Sequence, residues 1–188
     1  MRIVIERCGR VCYKSEDRIT PDSSGAFVRR IIASGHHSVL EHASATVLIV
    51  ADRGLTHELV RHRIGSYSQE STRYCNYGKG GEIAVCPMND GMTSEQLSRR
   101  EALWLEIESV YLAEVAEGVK PQQARDVLPT CLKTEIAASF NFREWRHVFS
   151  LRCAQTAHPR IRAVMKQVLY EFFARWPCVF GDQAGEFL

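Results

Sequence analysis

The sequence has no strong charge of either sign. Its 188 residues carry 24 Lys and Arg against 22 Asp and Glu, a formal net charge of +2. A nucleic-acid binder usually shows a basic global field, so any anion site here must be local. Long apolar runs are also missing: no stretch approaches the roughly 20 apolar residues of a membrane span, and the start from Met1 to Glu6 is too short for a secretory signal. The seven cysteines, Cys8, Cys12, Cys75, Cys86, Cys131, Cys153 and Cys178, are odd in number and include no Cys-x-x-Cys pair. They read as reduced thiols of a cytoplasmic protein. A His-Glu-x-x-His motif is absent, as is the Gly-x-Gly-x-x-Gly turn of a Rossmann site. No repeat, low-complexity segment or linker interrupts the chain, so its length implies a single domain over 1-188 with a substantial core.

What the chain does have is a dense polar stretch, Arg61-His62-Arg63-Ile64-Gly65-Ser66-Tyr67-Ser68-Gln69-Glu70-Ser71-Thr72-Arg73-Tyr74. A lone Arg-His-Arg is ordinarily a solvated surface. Here guanidinium forks, hydroxyls and an amide alternate around a glycine that can let the backbone approach a ligand. Arginine suits a phosphate because its planar fork meets two oxygens and stays charged at any working pH.

Periodicity outlines the elements. Arg2 to Glu6 is β-branched and reads as a strand. Pro21 to Ser24 opens a helix whose apolar residues Phe27, Ile31 and Ile32 stop near Gly35. Ala43 to Val50 suits a buried strand, Arg53 to His62 a helix with Glu58 facing Arg61 or His62, and Gly65 to Thr72 a loop. A short strand is expected at Ile83 to Val85 within the stretch from Gly78 to Asp90. Thr93 with Gln96 forms a capping-box pattern that opens a long amphipathic helix through Glu117. Pro121 to Leu128 reads as a short helix, and Asn141 with Glu144 opens another that carries Arg143, His147 and Arg152. Ile161, Val164, Met165, Val168, Leu169, Phe172 and Phe173 recur at helical spacing, the mark of a core or interface face rather than a cofactor box.

Arg-His-Arg, then seven residues, then Ser71 is the signature of the flavin-dependent thymidylate synthases. The sequence resembles that family in three further blocks in the same order: Gly35 to His42, Ala124 to Pro129, and Asn141 to Arg143 through His147 to Arg152. The resemblance implies the family's α/β fold, a mixed antiparallel-type sheet with long helices and no Rossmann topology. It also implies a homotetramer with shared active sites and the family's reaction, the reductive methylation of dUMP to dTMP. Methylenetetrahydrofolate would be the carbon donor, and FAD reduced by NADPH the hydride source.

By the same resemblance, Arg152 is the catalytic group, activating uracil. Ser38, Arg61, His62, Arg63, Gln69, Asn141, Phe142, Arg143 and His147 would contact FAD. Glu58, Leu59, Val60, Arg61, Gln69, Glu70, Ser71, Thr72, Arg73, Arg125 and Arg152 would contact dUMP, with Arg125 arriving from a neighbouring subunit. A dianionic phosphate needs charge-assisted donors, which Ser71, Arg73 and Arg125 can supply. The position of Glu58 is glutamine in some relatives, that of Gln69 glutamate, and that of His147 asparagine. The family needs no cysteine nucleophile, so Cys75 and Cys153 read as structural thiols.

Competing readings are weaker. His36, His37, His42, His57 and His62 invite a metal, but His57 and His62 are five apart and no paired ligand motif exists, so none is expected. Arg152, His158, Arg160 and Arg162 suggest an RNA-binding module, yet the aromatics fall on helical stripes rather than beside the basic groups. A non-catalytic relative that only binds nucleotide or flavin is opposed by the presence of Arg61, Arg63, Ser71, Arg73, Arg125 and Arg152.

Overall fold

The computed structural model describes residues 1–80, 83–86, 88–89 and 91–188. Helix α1 (Arg2–Val11) replaces the strand expected at the start. The β-branched residues there pointed to extended chain, but burial follows a helical period. Ile5, Glu6, Gly9 and Arg10 are the buried face, and Arg10 donates to Glu6 Oε1 at 2.8 and 2.9 Å one turn back. A Cβ at Gly9 would lie 2.7 Å from the Phe27 ring, so glycine lets α1 close on α2 (Ser23–Ala33). That second helix starts and stops where its sequence indicated.

Strand β1 (Ser44–Asp52) is not buried on both faces as expected; Ile49 is enclosed while Leu48 and Val50 stay more than half exposed. Asp52 then caps α3 (Arg53–Leu59) by accepting from Leu55 N at 2.8 Å. The helix ends before the Arg-His-Arg triplet, so Arg61 and His62 do not share its face with Glu58. The expected loop from Gly65 contains strand β2 (Ser66–Gln69), in which alternate residues are exposed and half-buried, the period-2 pattern of an edge strand. Val85 forms an isolated antiparallel bridge to Leu132 rather than a strand; Gly81, Glu82, Pro87 and Asp90 of that stretch lie outside the described residues.

The capping box at Thr93 and Gln96 opens α4 (Ser94–Ala116) as expected. This helix buries Tyr111 completely and leaves Leu103, Leu105 and Val110 exposed. After α5 (Pro121–Ala124) and a 3-10 turn at Arg125–Val127 comes β3 (Lys133–Asn141). Its alternation, with Thr134, Ile136, Ala138 and Phe140 buried, is a clear strand signal absent from the expected elements above. The sheet order is β1-β3-β2, so β3 is central and the sheet is small and antiparallel. Thr46 and Ser139 set the register of one pair, their hydroxyls 2.7 Å apart.

Asn141 ends β3 and caps α6 (Phe142–Arg152), accepting from Glu144 N at 2.8 Å. Helices α7 (Pro159–Arg175) and α8 (Pro177–Phe187) complete the chain. By internal packing the chain divides into two units, Met1–Val47 with His62–Ser66 and Ala138–Leu188, and Leu48–Arg61 with Tyr67–Ala137. The first is centred on aromatic rings: Phe172 meets Trp145, Phe149, Trp176 and Phe180 with centroids 5.0 to 5.4 Å apart. The methionine and phenylalanine stripe of α7 is therefore core, with Met165 and Phe172 both buried. Phe172→Ala is expected to destabilise the protein by about 3 to 5 kcal/mol in urea unfolding, the cost of removing a buried aromatic and leaving a cavity.

Candidate functional site

In the first unit, α6 presents its polar face to a cavity of about 680 Å³. Asn141, Arg143, Arg146, His147 and Ser150 line it together with Glu41 and Gln183. Arg143 donates to Glu41 Oε1 at 2.6 Å, tying α6 to the 3-10 turn His37–His42 that follows α2. Of the predicted FAD contacts, Asn141, Arg143 and His147 thus share one wall. Ser38 is exposed in the same 3-10 turn, and Arg61 and Arg63 are exposed on either side of buried His62. Phe142 is fully buried against Trp176 and Phe180 and its N donates to Ala43 O at 2.8 Å, so it supports the wall from within and does not face the cavity. Gly65 serves packing: a Cβ there would lie 2.1 Å from the Phe140 ring.

His62 and Arg152 meet directly. Arg152 Nε donates to His62 Nε2 at 3.0 Å, which leaves the ring proton on Nδ1, 3.7 Å from Glu144 Oε1. Burial first, and then the Arg152 guanidinium and the nearby His147 ring, lower the His62 pKa to about 4. A neutral imidazole is what can accept from a guanidinium. His62, Glu144 and His147 bring potential metal-ligand atoms within 4.8 Å of one another. One His62 nitrogen, however, is engaged by a fixed cation, and an ion beside Arg152 would meet repulsion. The sequence marks Glu144 as a capping partner of Asn141. Its spacing of three from His147 on a helix is the signal that would have put both on one face.

The second unit holds the Ser71 loop. Gln69 Nε2 donates to Thr56 Oγ1 at 2.9 Å and Thr134 Oγ1 at 3.3 Å, which fixes the amide's orientation. Ser71 Oγ accepts from Arg73 N at 3.3 Å. Arg73 Nε donates to Gln122 at 3.2 Å, while Arg125 Nη1 lies 3.5 Å from Thr72 Oγ1. Two exposed guanidiniums, Arg73 on the loop and Arg125 beside it, thus lie together within one chain. Leu59 is fully buried, Glu58 half-buried and Val60 exposed at the end of α3, and Tyr67 Oη donates to Leu59 O at 2.8 Å. Glu70 points its carboxylate at Tyr77 Oη, 2.8 Å away.

A sequence model of the family described as thymidylate synthase complementing protein matches residues 2–178. A flavin-dependent thymidylate synthase of Geobacter sulfurreducens is 37% identical over 180 residues, covering 92% of this chain and 78% of its own. The chain belongs to the flavin-dependent thymidylate synthases. The family is one of methyltransferases. The enzyme of that name from Mycobacterium tuberculosis is 35% identical over 95% of this chain and 78% of its own. The fold agrees with the crystal structure of Thymidylate Synthase X from Helicobacter pylori with FAD and dUMP. The TM-score is 0.81 over 97% of this chain and 94% of that one, at 22% identity. Among the described residues no helix is long and apolar enough to cross a membrane.

The His62 environment has a measurable consequence. From pH 6.5 down to about 4 the unfolded chain takes up a proton that the folded ring refuses, so stability is full above pH 6.5 and falls through that window. Urea unfolding at pH 7.5 and 4.5 should show a smaller acid loss for His62→Gln than for the parent. Equal losses would remove His62 as the source.

Proposed function

We propose that this flavin-dependent thymidylate synthase methylates dUMP to dTMP, taking the carbon from methylenetetrahydrofolate and the hydride from FAD reduced by NADPH, in the cytoplasm. The observation that carries the reading is the Arg152 guanidinium held by buried, neutral His62. Uracil is a poor nucleophile, and a positioned guanidinium beside the ring stabilises the negative charge that builds up as carbon 5 attacks. His62 orients that guanidinium without competing for its charge.

The residues fit a flavin dinucleotide. The cavity lies within the range of ligand pockets, and its arginines, imidazole and amide suit a pyrophosphate and a heteroaromatic ring. Asn141, Arg143 and His147 would hold it with Ser38, Arg61, Arg63 and Gln69, while buried His62 and Phe142 would support these contacts from behind. When bound, FAD supplies the redox chemistry. Ser71, Arg73 and Arg125 would grip the dUMP phosphate, with Glu58 to Arg61 and Gln69 to Thr72 around the nucleoside. A homotetramer with shared active sites is supported by the exposed Leu103, Leu105 and Val110 of α4, apolar surface that a partner would cover.

The first test is the visible absorbance spectrum of the purified protein, followed anaerobically as NADPH is added with and without dUMP. A flavin spectrum that bleaches and responds to dUMP is expected; a protein that stays colourless after incubation with FAD would overturn the reading. Arg152→Ala should keep FAD and lose about 100-fold in turnover, the scale of removing one donor to developing charge. Normal turnover in that variant would dismiss the role. Ser71→Ala should weaken dUMP binding, and unchanged nucleotide affinity would remove Ser71 from the phosphate site.

A further inference from the structure

The loop that carries Ser71, Thr72 and Arg73 is anchored from its inner side by Glu70, so far placed only as a nucleotide contact, and by Tyr77 and Lys133, which have no assigned role. Glu70 Oε1 accepts from Tyr77 Oη at 2.8 Å, and Glu70 Oε2 lies 3.9 Å from Lys133 Nζ and is buried without a hydrogen-bond donor. The Glu70 backbone is held as well, its N donating to Glu135 O at 2.9 Å and its O accepting from Arg53 Nη1 at 3.3 Å. Tyr77 is itself fixed. Its N donates to Tyr111 Oη at 3.3 Å, the two rings are 6.0 Å apart, and Tyr111 is completely buried in α4. Burial, then the hydrogen bond and charge of Glu70, push the Tyr77 phenol above its ordinary pKa, so it remains a donor.

We propose that Glu70 and Tyr77 are positioning residues for the phosphate of a nucleoside monophosphate, rather than contacts to it: the phenol draws the Glu70 carboxylate inward and ties the Ser71 loop to α4. The inference rests on the reading of that loop as the nucleotide site. The physics lies in charge placement. A carboxylate adjacent in sequence to a phosphate-binding serine repels a dianion unless it is turned away and partly neutralised, and Tyr77 and Lys133 do both. Without the phenol, Glu70 loses its one close donor and its charge is released toward the loop.

The test is a double-mutant cycle on the full protein, reading dUMP affinity by calorimetry, FAD affinity by absorbance, and KM and kcat for dUMP. Tyr77→Phe should weaken dUMP binding about tenfold, the scale of a lost hydrogen bond to a charged group. The loss should appear in KM and not in kcat, with FAD affinity kept. Glu70→Gln retains an acceptor for Tyr77 without the charge, so it should cost less than Tyr77→Phe, and the double variant should bind dUMP more tightly than Tyr77→Phe alone. A merely structural role would not produce that rescue. Parental dUMP affinity in Tyr77→Phe, or a Glu70→Gln loss equal to that of Ser71→Ala with no rescue in the double variant, would overturn the proposal. A parent protein that binds FAD but no dUMP would instead overturn the nucleotide reading and take this inference with it.

Discussion

The junction at Asn141, where the central strand becomes α6, sets the position of the α6 groups that form one wall of the cavity. Asn141 satisfies a free N–H of the new helix with its own side chain, so the chain turns from strand to helix with no linker in between. The backbone is pinned there too, since Phe142 N donates to Ala43 O at 2.8 Å and Trp145 Nε1 to Ala45 O at 3.0 Å. With the start of α6 fixed, its two faces are fixed. Phe142, Trp145 and Phe149 enter the aromatic core, while Arg143, Arg146, His147 and Ser150 face the cavity. The far side of the cavity wall is braced by α8, where Asp182 pairs with Arg146 and Gln183 donates to the Arg146 carbonyl.

Within that frame the decisive charge arrangement is a neutral ring between a cation and an anion. His62 faces Arg152 at one nitrogen and Glu144 at the other, and its burial keeps it uncharged at neutral pH. A protonated imidazole could not accept from Arg152, and the guanidinium would lose its orientation. The histidine of the Arg-His-Arg triplet thus differs in kind from its neighbours. The arginines on either side are exposed and available to ligand, whereas the histidine is an internal support for a distant arginine.

The Ser71 loop, proposed above as the phosphate site, follows a different logic, in which Glu70 beside it is turned inward. The Thr56 and Thr134 hydroxyls hold the Gln69 amide, and Tyr77 and Lys133 restrain Glu70, so the outward groups are hydroxyl and guanidinium. Arg73 belongs to the loop and Arg125 reaches it from the 3-10 turn after α5, and their exposure leaves the forks able to meet two oxygens each.

The sequence by itself was enough for the reaction class and for helices with strong local signals. The Arg-His-Arg to Ser71 spacing is a local pattern, and the caps at Thr93 and Asn141 act through hydrogen bonds three residues away, so both are legible without a fold. Helix α1 was misread because a β-branched run favours strand until a partner helix supplies the face it buries. The alternation in β3 and β2 was present but overlooked, and their pairing links residues far apart in sequence. Tertiary structure alone decided that His62 is buried against Arg152 and Glu144, that Phe142 is core, and that Glu70 turns inward to Tyr77. Each of those outcomes depends on which distant group removes water from the side chain, and that is a property of packing rather than of spacing.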